Sequence, residues 1–280
     1  MHYFIFLLFF INLHAESTYW NEGLVKPYVH NSELQRRWAM AFMAPYLKQL
    51  NGNEAILDVG CGDGKITADM SKFVPDGTVT GIDLSKDMIT WAKKQYHPLE
   101  YSNLNFYEGS FHDSAVEGKT YDIIVSFCAL QHSFDQKKSV LSLAKLLNPG
   151  GKLLILVPTR NNAEWNRSRA IVQAYEKWAP YWKGVPPRPT LPVDEYRSFL
   201  TDSDLRGTVD MHETKDPFID REEIVTWLKG TFAPVIPKEK AEEFYNDWMN
   251  QYLRHYPQAK GDDEVIYAEL GYITIVGVKE

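Results

Sequence analysis

Between residues 31 and 158 the apolar positions follow two alternating rhythms. Residues 31 to 50 place Leu34, Trp38, Ala41, Phe42 and Tyr46 at helical spacing, with Asn31 or Ser32 available as a cap. Short runs rich in branched and aromatic residues follow at "AILDVG", "GTVTGIDL", "LNFYEG", "YDIIVSFCAL" and "KLLILVP". Segments long enough for a helix separate them, such as "KDMITWAKKQY" and "QKKSVLSLAKLL". The near-continuous apolar strands "DIIVSF" and "KLLILV" predict burial on both faces, hence a parallel sheet in a doubly wound α/β sandwich.

After Pro158 the pattern reads as helices around a proline-rich turn, which predicts a helical cap inserted at about residues 159–206 over the edge of the sheet. Residues 207 to 213, "GTVDMHE", return to strand-like alternation. "DREEIVTWLKG" and "KEKAEEFYNDWMNQYLRHY" read as helices, and "GYITIVGVK" closes the chain as a last strand. No repeat interrupts this order, so residues 16–280 are read as one domain. At the other end, residues 3 to 11, "YFIFLLFFI", form an apolar run followed by Ala15, the kind of small residue that precedes a signal-peptidase cut. The run is shorter than a ~20-residue bilayer span and lacks a preceding Lys or Arg. Residues 1–15 are therefore read as a signal peptide or as a hydrophobic N-terminal segment, and membrane contact is expected only through residues 3–11.

Composition narrows the chemistry. A hydrophobic content of 44% over 280 residues supports a large buried core, and a formal charge of −7 argues against a nucleic-acid surface and for a small-molecule partner. Cys61 and Cys128 are the only cysteines and do not make a disulfide scaffold. Read as reduced thiols beside the same loop, they point to a cytoplasmic setting, whereas a functional signal at residues 1–15 would export or tether the chain. No metal site is predicted.

The sharpest local feature is "AILDVGCGDGKIT", where a strand runs into a loop with glycine at positions 60, 62 and 64. A glycine-rich turn at the end of a first strand brings backbone N–H groups close to a ligand. The dinucleotide fingerprint needs glycine at position 65, where Lys65 stands, so a nicotinamide cofactor is disfavoured. Asp83, closing the second strand in "GIDLS", is placed to accept hydrogen bonds from ribose hydroxyls.

Together, "LDVGCGDG", "GIDLS", "YDIIVSFCALQH" and "LLNPGGKLLI" resemble the ordered motifs of class I S-adenosylmethionine-dependent methyltransferases, over residues 52 to 158. The resemblance implies a Rossmann-like, seven-stranded, mostly parallel sheet with S-adenosylmethionine as cofactor. It implies that Asp58, Gly60, Cys61 and Gly62 line the methionine end, that Asp83 takes the ribose, and that Leu84 and Met88 flank the adenine or ribose edge. Ser126 and Phe127 would face the reactive sulfur. Where many relatives carry an acidic residue after the third strand, this chain has Ser110 and Phe111, with Asp113 as a substitute.

The C-terminal pattern from "FIDREEIVTWLKG" onward resembles trans-aconitate and juvenile hormone acid methyltransferases, which implies transfer to a carboxylate oxygen of a small molecule. Alternatives are a malonyl-thioester, lipid or quinone-precursor methyltransferase, or a catalytically inactive cofactor-binding regulator. Candidate acceptor-pocket residues are Gln35, Trp38, Arg160, Trp165 and Arg169, the arginines as partners for a carboxylate. His132 is the candidate catalytic base.

Overall fold

The computed structural model describes residues 22–112, 118–159, 163–184, 191–231, 235–261 and 265–280. The hydrophobic segment at residues 1–15, Asp113 and Arg160 lie outside the described residues. Helices α1 (Glu22–Asn31) and α2 (Glu33–Leu47) come first, with Ser32 alone between them. An alternating series follows: β1 (Ala55–Val59), α3 (Lys65–Ser71), β2 (Thr78–Asp83), α4 (Lys86–Gln95), β3 (Leu104–Glu108), β4 (Tyr121–Phe127), α5 (Gln136–Lys145) and β5 (Leu147–Pro158). The chain continues through α6 (Ala163–Gln173), α7 (Ala179–Trp182), α8 (Val193–Asp202), β6 (Leu205–Phe218), α9 (Arg221–Thr231), α10 (Ala241–His255) and β7 (Ile266–Lys279).

The seven strands form one sheet in the order β3-β2-β1-β4-β5-β7-β6. The first five strands are parallel, and β7 runs antiparallel to both β5 and β6. Strand order reverses between β1 and β4, the point at which a doubly wound sheet opens a crevice beyond its carboxyl ends. Side-chain alternation divides the core into two layers. Leu154 and Leu156 of β5 join α2, α3 and α4 on one face, while Leu153, Ile155 and Val157 join α5 and α8 on the other. Helix starts are secured locally: Ser85 Oγ accepts from the Met88 N–H at α4, and an Asp135 carboxylate oxygen accepts from the Lys138 N–H at α5.

The cap differs from the insertion expected at residues 159–206. Helix α8 belongs to the sandwich, because Tyr196, Phe199 and Leu200 form a buried stripe against the sheet. The helices above the first layer come from separated segments: α6 packs on α10, and α10 on α9. Their shared core stacks Trp165 against Trp248 at 4.8 Å and Tyr252 at 4.9 Å between ring centroids. The antiparallel β6–β7 pair matches Leu205 with Lys279 at one end and Phe218 with Ile266 at the other, outrunning β5 and supporting that core.

Candidate functional site

Hydrogen bonds and crowding shape the glycine loop after β1. The Gly60 and Cys61 N–H groups both donate to the Ile82 carbonyl, at 2.8 and 3.0 Å. Asp83 grips the loop from β2: one carboxylate oxygen accepts from the Gly62 N–H at 2.9 Å and the other from the Ser85 N–H at 2.8 Å. The glycines answer to different neighbours. A Cβ on Gly60, whose φ is +80°, would fall 2.2 Å from Ala129 Cβ in the segment after β4. On Gly62, with φ of +55°, it would touch Cε1 of Tyr28 at 3.3 Å. Gly60 is thus required by the packing of two loops, whereas Gly62 lies against the Tyr28 ring.

That crevice is lined by Tyr28, Ser32, Asp58, Gly60, Cys61, Asp63, Lys65, Ile66 and Phe127. Asp58 is buried and its carboxylate accepts from Thr67 Oγ1 at 2.7 Å. Burial raises its pKa to about 7, against the lowering effect of the Thr67 bond and with repulsion from Asp83 and Asp63 adding to the rise. Asp63 and Asp83 are also pushed up, chiefly by burial. Lys65 opposes the rise at Asp63, with its Nζ 3.1 Å from Asp63 Oδ2. Burial and these three carboxylates hold the Tyr28 phenol protonated, far above its ordinary range. The crevice therefore concentrates negative charge under an aromatic cover, a setting that favours a cationic ligand and opposes a polyanion.

The remaining expected positions separate into groups. Gly60, Cys61, Asp58 and Phe127 share the crevice wall, with Gly62 and Asp83 bonded to each other beside it. Cys61 is turned toward β2, its Sγ 3.0 Å from where a Cβ on Gly81 would lie. Both thiols are free, and burial lifts the pKa of Cys128 to about 12. Ser126 is fully buried and donates to the Val59 carbonyl at 2.9 Å, so its hydroxyl serves the sheet. Met88 is buried on the inner side of α4, and Leu84 is half-buried at the end of β2. Ser110 Oγ accepts from the His112 N–H, and Phe111 packs on the opposite layer with α5 and α8.

Among the acceptor candidates, Trp165 is 4% exposed and belongs to the cap core, because three aromatic rings surround it; it does not form an accessible wall. The Trp38 indole N–H is shared between the two oxygens of Asp216, at 3.2 and 3.3 Å. Gln35 Oε1 accepts from the Trp227 indole at 3.4 Å. The Arg169 guanidinium lies 5.7 Å from the centre of the Trp248 ring. His132 ends a short 3₁₀ turn, Leu130–His132, beyond β4. Sequence reasoning missed Tyr28, Ser32, Asp63 and Lys65. The first two sit in "KPYVHNS", where a proline inside α1 breaks the periodic signal.

The description "Methyltransferase domain" matches residues 50–214 of this chain. A putative methyltransferase, 235L, of Invertebrate iridescent virus 6 is 32% identical over 152 residues, covering 54% of this chain and 53% of that protein. The malonyl-[acyl-carrier protein] O-methyltransferase of Halalkalibacterium halodurans is 37% identical over 105 residues, covering 36% of this chain and 37% of the relative. The chain thus spans about half, or less, of the length of the curated relatives it matches. Among solved structures, a Haemonchus contortus phosphoethanolamine N-methyltransferase 2, in complex with phosphomonomethylethanolamine and S-adenosylhomocysteine, superposes with a TM-score of 0.60 at 15% identity. That match covers 94% of this chain and 60% of the other, a likeness of fold.

Proposed function

The chain belongs to the methyltransferase-domain family, and from that premise we propose that it is an S-adenosylmethionine-dependent methyltransferase acting on a carboxylate oxygen of a small molecule. The observation that carries this reading is the gathering of Asp58, Asp63 and Asp83 around a glycine loop at the β1/β4 reversal. S-adenosylmethionine presents an ammonium, a sulfonium and a ribose, all of which suit carboxylate neighbours. A nicotinamide dinucleotide would bring a pyrophosphate into the same acidic space, at a Coulombic penalty. The donor set therefore fits the sulfonium cofactor.

Bound there, the cofactor supplies a methyl group already activated by a positive sulfur. Asp58 would hold the methionine end beside the Gly60–Gly62 loop, Asp83 would hold the ribose, and Phe127 walls the crevice. The chain's remaining contribution is orientation and exclusion of water. Among the described lining residues, Asp58 is engaged by Thr67, Asp63 by Lys65, and the Tyr28 phenol stays protonated. A carboxylate acceptor arrives ionised and needs no base, and it would lie on the cap side, away from the three aspartates. Arg169, on the cap, is assigned to orient it. The C-terminal resemblance to trans-aconitate and juvenile hormone acid methyltransferases supports the same acceptor class. A malonyl-thioester carboxyl is the second reading, favoured by the 37% identity to the H. halodurans relative.

Calorimetric titration of the full chain with S-adenosylmethionine, S-adenosylhomocysteine and NAD tests the cofactor. Heat from the first two and none from NAD is expected, and the reverse pattern would overturn the reading. Incubation with labelled cofactor and a panel of small mono- and dicarboxylic acids and malonyl thioesters should then yield base-labile methyl esters. Label appearing only in base-stable products would remove the carboxylate acceptor.

A further inference from the structure

The chain leaves β4 through a strained joint at Cys128. Its φ is +55°, in the left-handed region, and among the described residues only Asp204 shares that conformation without being glycine. Aspartate tolerates it through local hydrogen bonding of a short side chain, whereas a thiol gains nothing from it. Strained backbone of this kind persists where the surroundings over-determine it. Cys128 is held on both of its peptide groups. Its N–H donates to the Leu156 carbonyl at 2.8 Å, so the residue still belongs to the β4–β5 ladder. Its carbonyl accepts from Gln131 Nε2 at 2.6 Å, out of the 3₁₀ turn that follows.

That bond alone orients the Gln131 amide. A carbonyl can only accept, so the amide nitrogen must face Cys128 and the amide oxygen must point away. Gln131 Oε1 is buried and meets no hydrogen-bond donor among the described residues, which opposes folding. The side chain therefore holds the Cys128 carbonyl although its other end goes unmatched. On either side of the joint stand two parts of the crevice. Phe127, the residue before it, walls the crevice and meets the Phe42 ring edge-on at 6.3 Å between centroids. Ala129, the residue after it, packs so closely on the glycine loop that a Cβ on Gly60 would fall 2.2 Å from its own. A change of φ at Cys128 rotates these two neighbours relative to each other. The joint thus cannot relax without parting the wall from the loop or driving Ala129 into it.

We propose that Gln131 is a positioning residue for methyl transfer: by holding the Cys128 carbonyl it fixes the left-handed joint that sets the Phe127 wall and the glycine loop in one register. The proposal rests on the cofactor reading above. Gln131 acts through Cys128 and, in this role, touches neither cofactor nor acceptor. The three aspartates supply the charge of the crevice, and this joint fixes the spacing of its sides.

A cycle of substitutions distinguishes a strained joint from an ordinary contact. Gln131→Met keeps the length of the side chain and removes the donor. In the wild-type background it should weaken S-adenosylhomocysteine binding about tenfold by calorimetry, because the released carbonyl lets φ of Cys128 drift. Cys128→Gly removes the strain, since glycine adopts a positive φ without a side-chain clash, and in that background Gln131→Met should weaken binding only about twofold. Cys128→Ala removes the thiol and keeps the strain, so there the loss of about tenfold should return. Equal losses in all three backgrounds would overturn the proposal. Relief in Cys128→Ala as complete as in Cys128→Gly would assign the effect to the thiol and overturn it as well. A Gln131→Met protein whose urea midpoint falls while its affinity is unchanged would make Gln131 a purely structural residue, against the proposal. If Gln131→Met does not fold in the wild-type background, recovery of a folded, binding protein with Cys128→Gly and not with Cys128→Ala is the expected result, and failure with both would overturn the proposal. Absence of binding in wild type would defeat the cofactor reading and, with it, the positioning role.

Discussion

Asp58→Asn is the substitution whose effect follows most directly from the geometry. Asp58 is 2% exposed, and burial with two carboxylate neighbours places its pKa at about 7. Its ordinary value is 3.8, so the folded protein holds the proton more tightly than the unfolded chain. The stability from this group is therefore complete below pH 3.8 and is lost as pH rises through about 7. At 1.36 kcal/mol per pH unit the gap sets a ceiling of about 4 kcal/mol above pH 8, and relaxation with water penetration reduces the expected loss to about 2 kcal/mol. Asparagine keeps the shape and, with its carbonyl toward Thr67, keeps the 2.7 Å bond without the ionisation.

Urea unfolding at pH 5.5 and pH 8.5 measures this. The variant should be about 2 kcal/mol more stable than wild type at the higher pH and about 1 kcal/mol more stable at the lower, because about half of the interval between the two pKa values lies below pH 5.5. A difference that does not change between the two would show that Asp58 does not titrate in this range, and the electrostatic account of the crevice would fail. Binding carries a second signature. A ligand ammonium beside Asp58 should draw its pKa down and release protons near pH 7, which appears as a dependence of the binding heat on the buffer's ionisation enthalpy. Asp58→Asn should abolish that dependence while weakening affinity.

Asp83→Asn should cost about 2 kcal/mol and weaken S-adenosylhomocysteine binding by about tenfold, because an amide can accept from only one of the Gly62 and Ser85 N–H groups. Urea unfolding and calorimetry check the two parts, and equal affinity in both proteins would remove Asp83 from the site. Gly60→Ala should cost about 3 kcal/mol, combining the clash with Ala129 and the left-handed backbone, whereas Gly150→Ala, at φ of +78° with open space around it, should cost about 1 kcal/mol. Equal denaturation midpoints for the two would contradict the crowding at Gly60.

What could be read from the residues alone was the part governed by strand periodicity. Strands β4 and β5 carry near-continuous apolar runs, the edge strand β3 alternates, and the neighbouring α4 and α5 carry clean amphipathic stripes, so each segment states its own environment. The cap does not share this property. Trp165, Trp227 and Trp248 come from three separate helices and meet only in the folded chain, so the tryptophan expected in an acceptor wall is instead a core residue. Helix α8 was assigned to the cap for a related reason: the stripe of Tyr196, Phe199 and Leu200 predicts a buried face without naming what buries it.

The glycine loop carries the same lesson to the site itself. Gly60 and Gly62 stand in one motif and both have positive φ, but one is demanded by Ala129 and the other lies under Tyr28. Glycine spacing records that a side chain is forbidden and does not record what forbids it. The residue that distinguishes the two is Tyr28, on a helix interrupted by Pro27, and the side chain that fastens that helix is Lys65. Position 65 is also where the dinucleotide fingerprint would require a third glycine. The departure that argued against a nicotinamide cofactor thus places an ammonium where it pairs with Asp63 and donates to the Val29 carbonyl and Ser32 Oγ at the end of α1.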